Sequence, residues 1–377
     1  MDTTTVRVND PRELLAYLPH QLGFAPRESA VAVSLRAPRG RVGLVARVDL
    51  ADLGHSETGP QVARGLVAHL GANRACGAVL VLYTASDPRG IDPAGAVARA
   101  AARHFRDAAT PPFGDVAVWV VTSTGYLRLD CDEPACCPAQ GRPSRDLDST
   151  VVGAHMVLAG SCVASSREAV ARIDRAAAPA RRSAARAAQR WLRRGSDAER
   201  DGLEALAAWR AQSLEAWARC VEAVRDPIAR ADPPSALLGR LEAGLSDRRV
   251  RDAVLVSLVP GVEDLPERSL REDAAVTGAE MAAAIGAIID PERAVSPPPG
   301  PLSTHAHALE RVVAHGRHGA QAPALTLLAL LAWWSGDGAR ASVLLERALS
   351  DDPGHRLARL LDDVLTAGMP PGWASAS

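Results

Sequence analysis

Residues 78–83 read Ala-Val-Leu-Val-Leu-Tyr, a continuous apolar run of the kind found in β-strands that are buried on both faces. Residues 116–122 form a second such run, and the alanine-rich, helix-like segment 93–106 separates the two. Upstream, residues 30–35 and 42–50 are typical of the two strands of a β-hairpin, and residues 61–70 have helical periodicity. Strands that alternate with helices predict an α/β domain in which a mixed sheet is layered with helices.

A helix is predicted ahead of the first strand. Asp10 can cap its first turn, and Glu13 completes a pattern like that of a capping box. Pro19 is expected to end this helix. In the turn that follows, we expect Gly23 to adopt a positive φ and Phe24 to be buried against the sheet.

The chain changes character near residue 165, and from there to about residue 290 it contains no convincing strand pattern. Alanine, arginine, leucine and glutamate dominate this stretch, which predicts an all-α region. Residues 297–301, Pro-Pro-Pro-Gly-Pro, are typical of a stiff linker or a turn. We therefore expect three parts: an α/β domain with a cysteine-rich loop over residues 1–165, an all-α region over 166–296, and a C-terminal segment over 297–377.

The C-terminal segment is predicted to contain a helical hairpin. Residues 324–334 and 339–349 are both helical in pattern, with Gly-Asp-Gly between them at 336–338. Ala341, Leu345, Ala348 and Pro353 stand at the spacing of the second helix of a tetratricopeptide unit. The functional interpretation is a groove for a protein partner on the C-terminal helices, and the simpler one is an ordinary helical hairpin.

Composition excludes several classes of protein. Of 377 residues, 43 are basic and 44 are acidic, so the net charge of -1 gives no general attraction to nucleic acid. Every basic residue is arginine, which excludes P-loop and Schiff-base lysines. The arginine-rich stretch 175–194 is interpreted as a solvated helix face, and nucleic acid is not expected as a partner. No apolar signal core or spanning stretch is found, so we expect a cytoplasmic protein that does not bind membranes.

The loop of residues 131–141 carries three cysteines, Cys131, Cys136 and Cys137. They could hold zinc, with His155 or Asp130 as a fourth ligand. Alternatively, Cys131 could form a disulfide with Cys136 or Cys137, or the thiols could simply pack beneath a proline-rich loop. The spacing does not decide among these three alternatives. The remaining cysteines are expected in the core: Cys76, Cys162 and Cys220.

Arg47 and Asp49 are candidate binding residues. They alternate with Val48 at the end of a strand, so both side chains lie on one face of the sheet. They could form part of a binding site or an ordinary surface ion pair.

The order of motifs resembles the actinobacterial family called domain of unknown function 4192. The matching residues are Pro11-x-x-Leu14-Leu15, Pro19-x-x-Leu22-Gly23-Phe24-x-Pro26-x-x-Ser29-x-Val31, Arg47-Val48-Asp49-Leu50, Cys131 to Gly141 with Cys136-Cys137-Pro138, and the C-terminal Gly336-Asp337-Gly338-Ala339-x-Ala341. The resemblance implies a cytoplasmic bacterial protein and supplies no activity. It directs attention to the cysteine loop and to the turn at Phe24, a third candidate binding residue.

Two functional classes follow. Because the Walker loop, Gly-x-Ser-x-Gly and His-Glu-x-x-His are not found, the first is a non-catalytic binding or regulatory protein. The alternative is a metal-dependent or thiol-dependent enzyme with its site at the loop 131–141, because α/β sheets place ligands at the carboxyl ends of strands.

Overall fold

The computed structural model describes residues 10–37, 40–72, 75–89, 93–131, 133–138, 140–225, 232–272 and 274–375. The chain divides into two compact units, Met1–Val170 and Ala171–Ser377. The predicted α/β region followed by an all-α region is confirmed. The three-part division at residues 165 and 296 stays a prediction.

The first unit is built on a six-stranded sheet of order β2-β1-β3-β4-β5-β6, in which β3 and β4 are parallel and all other neighbours are antiparallel. The predicted hairpin and both buried strands are confirmed, whereas the short strand β6 was not predicted. The strands are β1 Ser29–Arg36, β2 Arg41–Asp49, β3 Ala75–Tyr83, β4 Ala117–Val121, β5 Gly125–Arg128 and β6 Arg142–Pro143.

Helices lie on both faces of this sheet. Alternate strand residues, among them Ala32, Leu80 and Val118, form one apolar core with α2, α3 and α4. The residues between them, such as Val31 and Val81, are equally buried on the opposite face, where α1 contacts β2 and packs on α6. The helices are α1 Pro11–Leu22, α2 Leu50–Gly54, α3 Gly59–Ala72, α4 Pro93–Phe113, α5 Arg145–Asp148, α6 Val151–Leu158 and α7 Arg167–Val170.

Helix α1 begins as predicted and ends later than predicted. Asp10 caps it, accepting a hydrogen bond from the Arg12 backbone at 2.9 Å. Pro19 lies inside the helix, so the expected stop there is wrong; the helix ends at Gly23, which has a φ of 74°. The φ of Gly23 is therefore the signal that ends α1, because this conformation disfavours residues with a Cβ.

Glu13 serves a different helix from the one predicted. Its carboxylate accepts hydrogen bonds from the backbone of Val151 at 3.2 Å and of Val152 at 2.8 Å, in the first turn of α6. The capping-box assignment within α1 is therefore corrected: Glu13 caps α6, which packs against α1.

Phe24 is buried, with 3% of its surface exposed, as the turn predicted. The backbone around it is held by Ala25, which donates to the carbonyl of Ala164 at 2.9 Å, and by Ala164, which donates to Gly23 at 2.8 Å. A side chain so enclosed offers no surface to a ligand, which argues against Phe24 as a binding residue.

The second unit contains helices and no strand among its described residues. The bounds are α8 Ala178–Asp201, α9 Leu203–Arg225, α10 Ser235–Gly244, α11 Arg248–Val256, α12 Leu265–Arg271, α13 Ala274–Ile289, α14 Pro299–His315, α15 Ala322–Trp334, α16 Gly338–Asp351, α17 Arg356–Thr366 and α18 Gly372–Ser375. Pro299 and Pro301, expected in a linker, form the first turn of α14, where the missing backbone N–H groups are not needed.

Helix α15 is apolar on all sides and is buried along nearly its whole length. Such a helix must lie inside its unit, and α14, α16 and α17 pack around it. The predicted helical hairpin is present as α15 and α16, with Ala341, Leu345 and Ala348 fully buried. Its tetratricopeptide character stays a prediction.

The arginine-rich stretch forms α8, and its solvated-face interpretation fits the exposure of Arg182, Arg186, Arg190 and Arg193. None of the described helices is long and apolar enough to cross a membrane.

We predict that Phe24→Ala destabilises the first unit by about 3–5 kcal/mol, the usual cost of removing a fully buried aromatic ring. Hydrogen exchange of the β1 and β3 amides measures this. The control Val157→Ala, at a side chain 63% exposed, should change stability by less than about 0.5 kcal/mol. Equal exchange rates in the two variants would contradict the assignment of Phe24 to the core.

We predict that Glu242→Gln stabilises the protein at neutral pH. Glu242 on α10 is 4% exposed. One carboxylate oxygen accepts from the Arg317 backbone at 2.8 Å; the other has no hydrogen-bond partner and lies 3.9 Å from the Arg317 guanidinium, a weak ion pair that does not offset the cost of burial. Burial raises the pKa of Glu242 above that of the unfolded chain. The stability that this group contributes is therefore present at low pH and is lost as the pH rises through its folded-state pKa.

Thermal unfolding between about pH 4 and pH 7 tests this prediction. The gain from Glu242→Gln should be smallest at the acid end and should grow toward neutrality. Glu199→Gln, at an exposed position, is the control and should show no such growth. A gain that is constant with pH would mean that ionisation of Glu242 does not destabilise the fold.

Candidate functional site

The cysteine loop lies at the β5–β6 edge of the sheet, between its last two strands. After residue 141 the chain returns as β6, in which Arg142 pairs with Tyr126 and Pro143 pairs with Gly125. A Cβ at Gly125 would collide with the carbonyl oxygen of Arg142, so glycine is required for this close approach. The short pairing closes the loop and holds both of its ends against the sheet.

The sulfur atoms of Cys131, Cys136 and Cys137 lie within 4.8 Å of one another, which confirms the predicted cluster. The distance between the sulfurs of Cys136 and Cys137 is 3.9 Å. All three are free thiols: Cys137 is buried, Cys131 is half-buried and Cys136 is exposed. Asp132, the acidic residue between them in the sequence, lies outside the described residues.

Tight backbone turns fold the loop around the sulfurs. The amides of Cys136 and Cys137 both donate to the carbonyl of Glu133, at 3.1 and 2.8 Å. The Arg142 guanidinium donates to the carbonyl of Cys136 at 2.7 Å, which fastens the loop to β6. Adjacent cysteines, which rarely bind one ion, are thereby brought to the same side of the loop.

The surroundings act in opposite directions on the ionisation of Cys131 and Cys137. The backbone N–H of Arg128 donates to the Cys137 sulfur at 3.4 Å. A hydrogen bond with the Glu133 backbone lowers the pKa of the Cys131 thiol, and the positive side chain of Arg128 helps to lower it. Burial raises the pKa of Cys137, so the two thiols differ in how readily they ionise.

A fourth protein ligand is not part of the cluster among the described residues. His155 lies in α6 and is not in the group of ligand atoms within 4.8 Å, so its role as a ligand stays a prediction. Asp130 forms a two-point ion pair with Arg106 on α4, which occupies both of its carboxylate oxygens. The cluster therefore offers three sulfur ligands.

The structure brings the second candidate pair, Arg47 and Asp49, together at the start of β1. Arg47 donates to Asp49 at 2.5 Å and to the buried hydroxyl of Ser29 at 2.9 Å, and Ser29 donates in turn to the carbonyl of Arg27 at 2.7 Å. These groups satisfy one another. The arrangement fastens the end of β2 to the start of β1 and leaves little hydrogen-bonding capacity for a ligand.

Two residues of these sites were missed by sequence reasoning. Glu28 has a φ of 41°, and its carboxylate accepts from the backbone of Ala85 at 2.8 Å, just beyond β3. Arg142 fastens the cysteine loop, but a two-residue strand has no periodicity that could predict it. Both roles depend on partners that are distant in the sequence or on pairing too short to leave a pattern.

Two of the other cysteines are not in the core, contrary to expectation. Cys220 is buried, but Cys76 and Cys162 are exposed. Cys76 stands near the beginning of β3, before the strand becomes fully buried.

Comparison with known proteins gives one match. The family model described as "Domain of unknown function (DUF4192)" matches residues 11–372, which include the region 176–290 where no motif had suggested a resemblance. No curated protein and no solved structure matches the chain.

We predict that alkylation of metal-free protein discriminates among the three loop thiols. Cys136 is exposed and Cys131 is half-buried, so both should react before Cys137, which is 5% exposed. Peptide mass spectrometry after a short pulse of iodoacetamide gives the order, with exposed Cys76 as the internal standard. Reaction of Cys137 as fast as Cys76 would show that the loop does not enclose it.

Proposed function

The chain belongs to the DUF4192 family, and we propose that it is a non-catalytic binding protein of the bacterial cytoplasm whose first unit holds one zinc ion. Cys131, Cys136 and Cys137 are the proposed ligands. The observation that carries this proposal is the convergence of their sulfurs within 4.8 Å.

The spacing of the sulfurs fits zinc. Zn–S bonds of about 2.3 Å in a tetrahedron require sulfurs about 3.8 Å apart. The sulfurs of Cys136 and Cys137 stand at 3.9 Å, and the Cys131 sulfur lies within 4.8 Å of both, so at most about 1 Å of adjustment brings all three to this spacing. Zinc prefers thiolates, and the hydrogen bond from the Arg128 backbone to Cys137 is of the kind that stabilises a metal-bound sulfur.

A structural role suits this set of ligands better than a catalytic one. Three thiolates with one further ligand are typical of structural zinc sites, whereas catalytic zinc is usually held by histidine-rich or mixed sets. The loop also joins β5 to the edge strand β6, a strand of two residues that has little stability of its own. Bound zinc would hold this edge in place and supply no reaction step.

The binding role is proposed for the helical unit. Helix α17 exposes Leu360, at 52%, beside the hairpin α15–α16, which is where we propose that a protein partner binds. This part of the proposal is independent of zinc, because no loop residue lies in the helical unit.

The alternative function is a thiol-dependent or metal-dependent enzyme at the loop 131–141. One observation favours thiol chemistry: the pKa of Cys131 is lowered, and two further thiols lie within 4.8 Å of it. Cys131 could then form a disulfide with Cys136 or Cys137, releasing two hydrogens to an oxidant.

Metal analysis of the purified full-length chain tests the proposal. We expect about one zinc per chain after dialysis, lost in Cys131→Ser, Cys136→Ser and Cys137→Ser. Cys76→Ser and Cys162→Ser are matched controls, since both thiols are exposed and outside the loop, and should retain zinc.

The same samples separate the alternatives. Protein that takes up no zinc, and whose loop thiols react equally with and without chelator, would overturn the zinc site. If the intact protein is then two mass units lighter without reductant and Cys131→Ser abolishes the difference, the disulfide is favoured.

A further inference from the structure

The helical unit contains a cavity of about 230 Å³ whose lining includes no residue of the cysteine loop. It is lined by the segment before α8 and by residues from the end of α14 to the end of α16. Its wall combines cationic, polar and apolar side chains, among them Arg175, Arg347, His318, Gln321, Ile173 and Leu325.

Arg347 carries an uncompensated charge. It is half-buried on α16, and its guanidinium donates to the carbonyl of Ala171 at 2.5 Å. Within the described parts of the chain, no carboxylate oxygen lies within 4.0 Å of its nitrogens. A half-buried guanidinium with several free N–H groups is a strong site for an oxyanion.

Arg175 adds a second cation at the same cavity. It is exposed, and across the described ranges it too has no carboxylate oxygen within ion-pair distance. Two guanidinium groups that line one cavity can both bind a single carboxylate or phosphate.

The carboxylate that lines the cavity, Asp351, forms no ion pair with Arg175 or Arg347 among the described residues. Asp351 accepts hydrogen bonds from the backbone of Gly319 at 2.6 Å, Gln321 at 2.6 Å and Ala322 at 3.0 Å, and its side chain is 4% exposed. It therefore caps the beginning of α15. Its negative charge offsets part of the charge of Arg175 and Arg347, and the lining residues keep a net positive charge. His318, whose ring nitrogen is 3.9 Å from Asp351, also lines the cavity.

We propose that this cavity binds a small organic anion, with an oxyanion held by Arg175 and Arg347 and a short apolar body against Ile173 and Leu325. The cavity is smaller than the roughly 300–1,000 Å³ of sites for drug-sized ligands, so the ligand is a small molecule and not a polymer. The site shares no residue with the zinc loop, so either proposal can fail without the other.

Calorimetry with the full-length chain tests the proposal, with benzoate as the probe. Benzamidine has the same size and the opposite charge, and inorganic phosphate has the charge without the apolar body. We expect benzoate to bind in the millimolar range and more tightly than phosphate, and benzamidine not to bind. Arg175→Gln and Arg347→Gln should each weaken benzoate binding about tenfold, the usual effect of losing a hydrogen bond to a charged group. Arg186→Gln, at an exposed position on α8, should leave it unchanged.

Circular dichroism of each variant checks its folding. If Arg347→Gln fails to fold, Arg175→Gln still tests the site, because Arg175 is exposed. Ser350→Trp, which fills the cavity from an exposed lining position, should also abolish binding. No benzoate binding up to about 10 mM, equal binding of benzamidine, or unchanged binding in Arg175→Gln would overturn the proposal.

Discussion

The burial of β3 on both of its faces is the constraint on which the first unit depends. Leu80 and Leu82 are fully buried toward α3 and α4, and Val81 is fully buried toward the other face. A strand without a solvent face cannot stand at the edge of a single layer, so helices must cover both sides. The hairpin β1–β2 pairs along one edge of β3, and β4 pairs in parallel along the other, with α4 between the two parallel strands in sequence.

The candidate zinc loop lies at the β5–β6 edge of the same sheet. It extends from β5, a strand of four residues, to β6, a strand of two residues. Its geometry is held by local backbone turns at Glu133, by Arg142 and by the close approach at Gly125. A metal bound by these three sulfurs would add order to this edge of the sheet, because the strand pairing that closes the loop is only two residues long.

The helical unit depends on a similar constraint, because its helix α15 is buried on all sides. Since α15 is apolar on every side, its neighbours must surround it, and its first turn requires an internal acceptor for its backbone N–H groups. Asp351, at the end of α16, supplies that acceptor. Its carboxylate is held at this cap and forms no ion pair with Arg175 or Arg347 among the described residues, so the cavity lining keeps a net positive charge. The proposed anion site is thus a consequence of how α15 is capped.

The sequence by itself determined the features that depend on neighbouring residues. The apolar run at 78–83, the hairpin at 30–50, the cap at Asp10 and the turn at Gly23 follow from periodicity and backbone preference, which act over a few residues. The clustering of the cysteines was equally predictable, because the segment between them is short and is bent by Pro134 and Pro138.

Only the tertiary structure decided which side chains meet across long stretches of chain. Glu13 was expected to cap its own helix, yet it caps α6, more than 130 residues away. Ser29 joins Arg47, Glu28 reaches the end of β3, and Asp351 reaches the beginning of α15 through contacts that no local pattern encodes. A polar side chain takes whichever buried donor or acceptor the packed elements leave unsatisfied, and that choice exists only once the elements have assembled.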